Sequence, residues 1–417
     1  MSRTIKIDYL PRVEGETSLR VKIDEDVGIQ LKIFEPPRFF EGFLVGRAYD
    51  EVGDLVSRIC GICPVSHMTT AILAIEKAMA VPVSDQTRVL RKALTLSQMV
   101  SSHLVHLYML AMPDYYRKNS ITPVLRDNHA ALQRLLKIKE AVNGVTAMIG
   151  GRALHPVTQV PGGFTAVPGR NAVREAVRAL QAVQNDARQV VRDVALLKVP
   201  DFHSTSEYVA LDTEEEYAIN GGLLVSNKGL RVSPDQYKAT FAERQVRHAT
   251  AKQSVIRGRG SFMVGALARL HIKYDKLQNE TKTLAREAGW ALPDDNPFHN
   301  ISAQALEIFD GIQRCIYLLE AFPFRDEARE PVKITAGQGR ALTEAPRGLL
   351  YHEYAVDGRG IVTAADIVTP TSQNFLNMEN DLKKLVAENR DRDTAALRLL
   401  CEKLVRAYDP CFSCSVH

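Results

Sequence analysis

Cysteine is scarce, six among 417 residues, which is too few for a disulfide framework in a chain of this size. No apolar run reaches the length of a membrane span, and the opening MSRTIKIDYLPRVEG lacks the apolar stretch of a secretory signal. A cytoplasmic location is therefore expected, with membrane association only through partners. Charge of one sign is not in excess: 53 Lys and Arg against 49 Asp and Glu leave +4. Without a dense basic block interleaved with aromatics, nucleic acid is not an expected partner. A GxGxxG fingerprint after a strand is also missing, so the chain has no visible dinucleotide site of its own. What remains is ordinary globular material, 45% apolar and 24% charged, enough for one to three compact units.

Period-two alternation in TSLRVKI and IQLKIF predicts a small antiparallel sheet over residues 5–34. Helical periodicity is expected from Ser84 to about Leu110, over ALQRLLKIKEAVNGVTAMIGG, and over NAVREAVRALQAVQNDARQVVRDVALL as one long helix. It returns in ALEIFDGIQRCIYLLEAF, FLNMENDLKKLVAENR and DTAALRLLCEKLVRAYD. Between these, 201–260 reads as short strands and turns, as does TEAPRGLLYHEYAVDGRGIVTAADIVTP. The expected fold is α+β, predominantly helical, with long central helices and small peripheral antiparallel sheets. One domain is expected over 1–417, with a sheet region at about 1–50 and a helical core at about 51–200. A mixed insert at about 201–300 and a C-terminal helical, site-closing region at about 301–417 complete it.

Four of the six cysteines fall in two CxxC pairs, Cys60 and Cys63 in RICGICPVSH and Cys411 and Cys414 in DPCFSCSVH. Thiols little more than a helical turn apart can converge on one ion, and two pairs can hold zinc, iron or a nickel-containing centre. Spacing alone puts structural zinc first. A thioredoxin-like dithiol ranks lower because no βαβ pattern flanks the pairs, and four inert buried thiols rank lowest.

RICGICPVSH at 58–67 together with DPCFSCSVH at 409–417 resembles the two signatures of the [NiFe]-hydrogenase large subunit; further landmarks follow in order along the whole chain. The resemblance implies reversible dihydrogen oxidation at a buried nickel held by all four thiolates. Cys63 and Cys414 would bridge to an iron carrying carbon monoxide and two cyanides, with Cys60 and Cys411 terminal on nickel. Related complex I subunits share the fold without the cysteines, so a cofactorless coupling subunit is the alternative from another class, beside a structural-zinc protein.

The resemblance also implies roles for residues that would otherwise pass as surface groups. PRVEG at 11–15 matches an N-terminal motif whose carboxylate, here Glu14, exchanges protons with a terminal nickel thiolate. EAPRG at 344–348 matches the element that sets an arginine, Arg347, over the open metal position, with Pro346 beside the diatomic ligands. Asp409 is expected to pair with that arginine. Where membrane-bound members carry a second aspartate, this chain has Ser102, followed by His103 and His106, which removes one anchor. His67 is expected near the bridging sulfur, not as a ligand. Arg152 and His155 in GGRALHPVTQVPGG are weaker site-support candidates, and GALARL at 265–270 is assigned to packing. Glu41 and His417 match a second site that takes magnesium.

After the four site cysteines, only Cys315 and Cys401 remain, too few for an iron–sulfur cluster of four thiolates. Electron transfer is therefore expected to need another subunit, and the resemblance implies an iron–sulfur small subunit as obligate partner, with diaphorase-type or other subunits carrying flavin and NAD(P) beyond it. NAD(P) is favoured over F420 as acceptor. The resemblance further implies nickel-insertion factors and a maturation protease that cuts an extension beyond His417.

Overall fold

Alternation builds the first element as expected. Arg3–Ile7, Thr17–Ile23 and Val27–Ile33 form a three-stranded antiparallel sheet in which Leu19 stands opposite Ile7 and Leu31. Leu19, Val21, Leu31 and Ile33 are buried while Arg20 and Lys22 point outward. The computed structural model describes residues 3–118, 120–327 and 329–417.

Helices make up most of the remainder. Pro64–Met79 begins with proline at its first turn, where a missing N–H breaks no hydrogen bond, and ends at Ala80 in the left-handed region with φ 54°. Asp85–Val105 is capped by Ser84, whose side chain accepts from Thr87 N, a cap that contributes about 1 kcal/mol. The helix passes the expected end near Leu110 and reaches Tyr115 through a wide π-type turn at His106–Ala111. Pro113 offers no N–H to an ordinary turn there, and Met112 N reaches back to Leu107 O.

The helix expected over 171–197 runs over 170–195 as Arg170–Ala182 and Gln184–Ala195, joined through the single residue Val183 with φ −102° and ψ 3°. Its apolar stripe, Val173, Val177 and Leu180 then Val190, Val191 and Val194, enters one core. His129–Gly150, Asn300–Ala321, Pro370–Glu388 and Thr394–Ala407 follow the periodicity read from sequence. Residues 201–260 hold short strands, Val209–Asp212 with Leu223–Ser226 and Arg231–Val232, and Phe241–Gln245 with Lys252–Ile256.

Gly337–Ala345, Gly348–Val356 and Val362–Val368 form a second antiparallel sheet that lies on the Pro64–Met79 helix. Gly339 makes the contact possible, since a Cβ there would stand 2.2 Å from Ala74 O. The buried apolar cluster around this helix and sheet includes Cys60, Cys63, Cys411 and Cys414. A larger cluster runs from the N-terminal strands through the long helices to Val416. Among the described residues, no helix is long and apolar enough to cross a membrane.

Candidate metal centre

The two CxxC turns face each other across the fold. Cys63 precedes the Pro64–Met79 helix, and Cys411 precedes the short turn Phe412–Ser415 that carries Cys414. Cys60 Sγ lies 3.7 Å from Cys411 Sγ, and Cys63 Sγ lies 3.9 Å from Cys414 Sγ. All four are buried, and the sulfurs of Cys60, Cys63 and Cys414 lie within 4.8 Å of one another. Sulfurs on one metal ion, each about 2.3 Å from it, stand at such separations. Cys60 Sγ also accepts from the amides of Ile62 and Cys63, at 3.3 and 3.2 Å. Hydrogen bonds from Cys411, Cys414 and Cys63 hold its thiol well below the usual range, while burial drives Cys411 and Cys414 up.

Glu14 stands against this cluster. Cys411 Sγ donates to Glu14 Oε2 at 2.8 Å, and Phe412 N donates to Glu14 O at 2.8 Å. Burial, then the charge on Cys60, raise the proton affinity of the Glu14 carboxyl. Gly15 permits the approach: its φ is 88°, and a Cβ would sit 2.6 Å from Ser413 N.

Arg347 and Asp409 are buried and paired. Arg347 Nε donates to Asp409 Oδ1 and to Asp409 O, both at 3.0 Å. Asp409 adopts φ 50°, a left-handed conformation unusual for aspartate, which lets carbonyl and carboxylate face the same guanidinium. Burial opposes the charge on Arg347, and Asp409 with the nearby cysteines restores it. Its Nη1 is buried without a partner among the described residues, and so is the hydroxyl of Ser102. In place of a second carboxylate, Gln304 Nε2 donates to Asp409 Oδ2 at 2.9 Å, and His106 Nδ1 lies 2.5 Å from Gln304 Oε1.

The remaining sequence candidates separate. His67 lies on the Pro64–Met79 helix, with its Nδ1 3.2 Å from His352 Nε2; burial lowers its pKa to about 3 although the charge on Cys60 acts to raise it, so the ring is neutral. His417 Nε2 lies 3.9 Å from Glu41 Oε1 and 2.8 Å from Ile367 O, bringing the second pair together. Arg152 is exposed and donates to His155 O within its own loop, and among the described residues neither is hydrogen-bonded to the cysteine cluster.

Reading GALARL as packing missed the most connected group behind the site. Arg269 is fully buried and bonded to Glu307, Glu344 and the carbonyls of Ala345 and Pro346. An arginine inside a run of alanine and leucine was the available signal, because such a charge must be paired where it is buried.

A family model described as nickel-dependent hydrogenase matches residues 38–134 and 242–417. The alpha chain of sulfhydrogenase 1 of Pyrococcus furiosus is 34% identical over 99% of this chain and 97% of its own length. The F420-non-reducing hydrogenase of Methanocaldococcus jannaschii has a chain that is 26% identical over 91% of this one and 98% of its own. Among solved structures, an NAD+-reducing [NiFe]-hydrogenase in its H2-reduced state shares the fold with a TM-score of 0.88 at 23% identity, covering 100% of this chain and 99% of that one.

Proposed function

The chain belongs to the nickel-dependent hydrogenase family, and from that premise we propose that Cys60, Cys63, Cys411 and Cys414 would together hold a nickel–iron centre. The protein is the catalytic subunit of a hydrogenase, interconverting dihydrogen with protons and electrons. One observation carries the assignment of the centre: four buried sulfurs paired at 3.7 and 3.9 Å, with the unpartnered Nη1 of Arg347 among the groups that feel their charge. Soft thiolates suit nickel, and an orphaned buried guanidinium N–H suits anionic ligands on iron. When bound, the metals with carbon monoxide and two cyanides supply the redox chemistry and polarise the H–H bond.

The protein's own contribution is charge and proton handling. Heterolysis releases a proton, and the 2.8 Å contact between Cys411 Sγ and Glu14 Oε2 gives it an exit. Arg347, held by Asp409, keeps a permanent positive charge in a site that excludes water. His67 stays neutral and orients through His352. Glu41 Oε1, His417 Nε2 and Ile367 O form a donor set for magnesium, which would fasten the tail that carries Cys411 and Cys414. Because these donors come from both ends of the sequence, the chain functions as one domain.

Two electrons must leave with each dihydrogen oxidised. Cys315 and Cys401 cannot ligate a four-thiolate cluster, so the electrons pass to a partner chain holding iron–sulfur clusters, and from there to NAD(P) on a further chain. The test is made on the complex purified with its partners. Equimolar nickel and non-cluster iron, infrared bands of carbon monoxide and cyanide, and H2-dependent dye reduction are expected. Zinc alone without those bands overturns the reading, and H2-driven reduction of F420 but not NAD(P)+ overturns the acceptor.

A further inference from the structure

The strands Gly337–Ala345 and Gly348–Val356 pair Ala345 with Gly348, so Pro346 and Arg347 are the two residues of a tight turn. Arg269, on the helix Ala266–Lys273, reaches this turn from behind. Its guanidinium has five N–H groups and five acceptors. Nε and Nη2 hold Glu307 Oε1 and Oε2, both at 2.6 Å. Nη1 holds Glu344 Oε2 at 3.2 Å and Ala345 O at 3.0 Å, and Nη2 holds Pro346 O at 2.9 Å. Three consecutive residues each give Arg269 an acceptor, and the next residue is Arg347.

The anchors of this clamp are themselves fixed. Glu307 also meets His103 Nε2 at 2.9 Å and accepts from Tyr217 OH at 2.5 Å. Glu344 Oε1 accepts from Leu211 N at 2.7 Å and lies 3.5 Å from Lys273 Nζ. Every N–H of the Arg269 guanidinium has an acceptor in this network, and a core that needed only bulk would use apolar side chains at less cost.

We propose that Arg269 is a positioning residue of the hydrogenase site: it clamps Glu344, Ala345 and Pro346 so that the Arg347 side chain leaves the turn toward the four sulfurs. The proposal rests on the reading of those sulfurs and Arg347 given above. Asp409 then fixes Nε of Arg347, and the two grips together decide where its free Nη1 points. A planar fork is required, so lysine, with the same charge and no fork, cannot replace it.

The test uses the purified heteromeric enzyme in four forms: wild type, Arg269→Lys, Arg347→Lys and the double variant. Turnover per bound nickel and the carbon monoxide and cyanide bands are read in each. Arg269→Lys is expected to lower turnover per nickel roughly 10–100-fold and to shift or broaden the bands. On the Arg347→Lys background the same change should cost less than about twofold, as for residues acting through one group. Unchanged bands and turnover in Arg269→Lys, or a loss that multiplies in full on the second background, overturns the role of Arg269 alone. A wild type without nickel or bands overturns the centre and, with it, the clamp. Should Arg269→Lys not fold, Glu307→Gln goes through the same cycle and the same outcomes decide.

Discussion

The thiol of Cys411 donates to Oε2 of Glu14 across 2.8 Å, and the two backbones run parallel there, bridged through Phe412 N. Glu14→Gln keeps the shape and loses the exchangeable carboxyl. Turnover in both directions should fall roughly 10²–10⁴-fold, with nickel content and infrared bands retained. A variant that loses its metal as well would show that Glu14 builds the centre instead of serving it.

Cys414→Ser should abolish nickel, the bands and hydrogen uptake together. Cys315 and Cys401 supply the contrast. Both are buried thiols pushed up to about 12 by burial. Serine at either is expected to leave metal content unchanged, measured by elemental analysis of the purified complex.

Glu76 and Arg91 form a buried bidentate pair at 2.6 and 2.7 Å, and Gly162 N adds a bond to Glu76 at 2.8 Å. The pair ties the helix after Cys63 to the next long helix and to the Gly-rich loop. Glu76→Gln leaves a buried guanidinium without its counter-charge and should cost about 3–5 kcal/mol in denaturant unfolding. Surviving protein should show unaltered bands, because the pair shares no hydrogen bond with the cysteines.

Asp381 is buried beneath Tyr408 and Ser204, and burial raises its pKa to about 6 despite their hydrogen bonds. A carboxyl raised above its unfolded value near 3.9 binds its proton more tightly in the folded state. Its contribution is therefore fully present below about pH 4 and lost as pH rises through about 6. Asp381→Asn should remove that loss, gaining on the order of 1–3 kcal/mol relative to wild type above pH 6. Melting curves from pH 4 to 8 check it, and parallel curves for the two proteins would contradict it.

Periodicity made the fold legible where a segment faces one core. The strands at 17–33 and the helices at 129–150 and 300–321 lie where alternation and the 3.6 repeat put them. It does not report the one-residue interruption at Val183, because the apolar spacing continues on both sides of it. The cysteine pairs were visible as spacing, whereas their mutual approach depends on tertiary contacts that spacing does not encode. Arg269 was visible as a charge inside GALARL but was assigned to packing, because what it holds, the turn before Arg347, is distant in sequence. Gln304 was not found because it acts through Asp409, again far along the chain.

Each thiol pair joins residues 351 apart. Neither CxxC turn can assemble the cluster alone: the four sulfurs meet only when loops of that length are closed. Closure of such loops costs entropy that the packing of the helices and sheets between them must outweigh. The centre is therefore a property of the whole fold, and a change that loosens the core anywhere along the loop acts on the distance between the two thiol pairs.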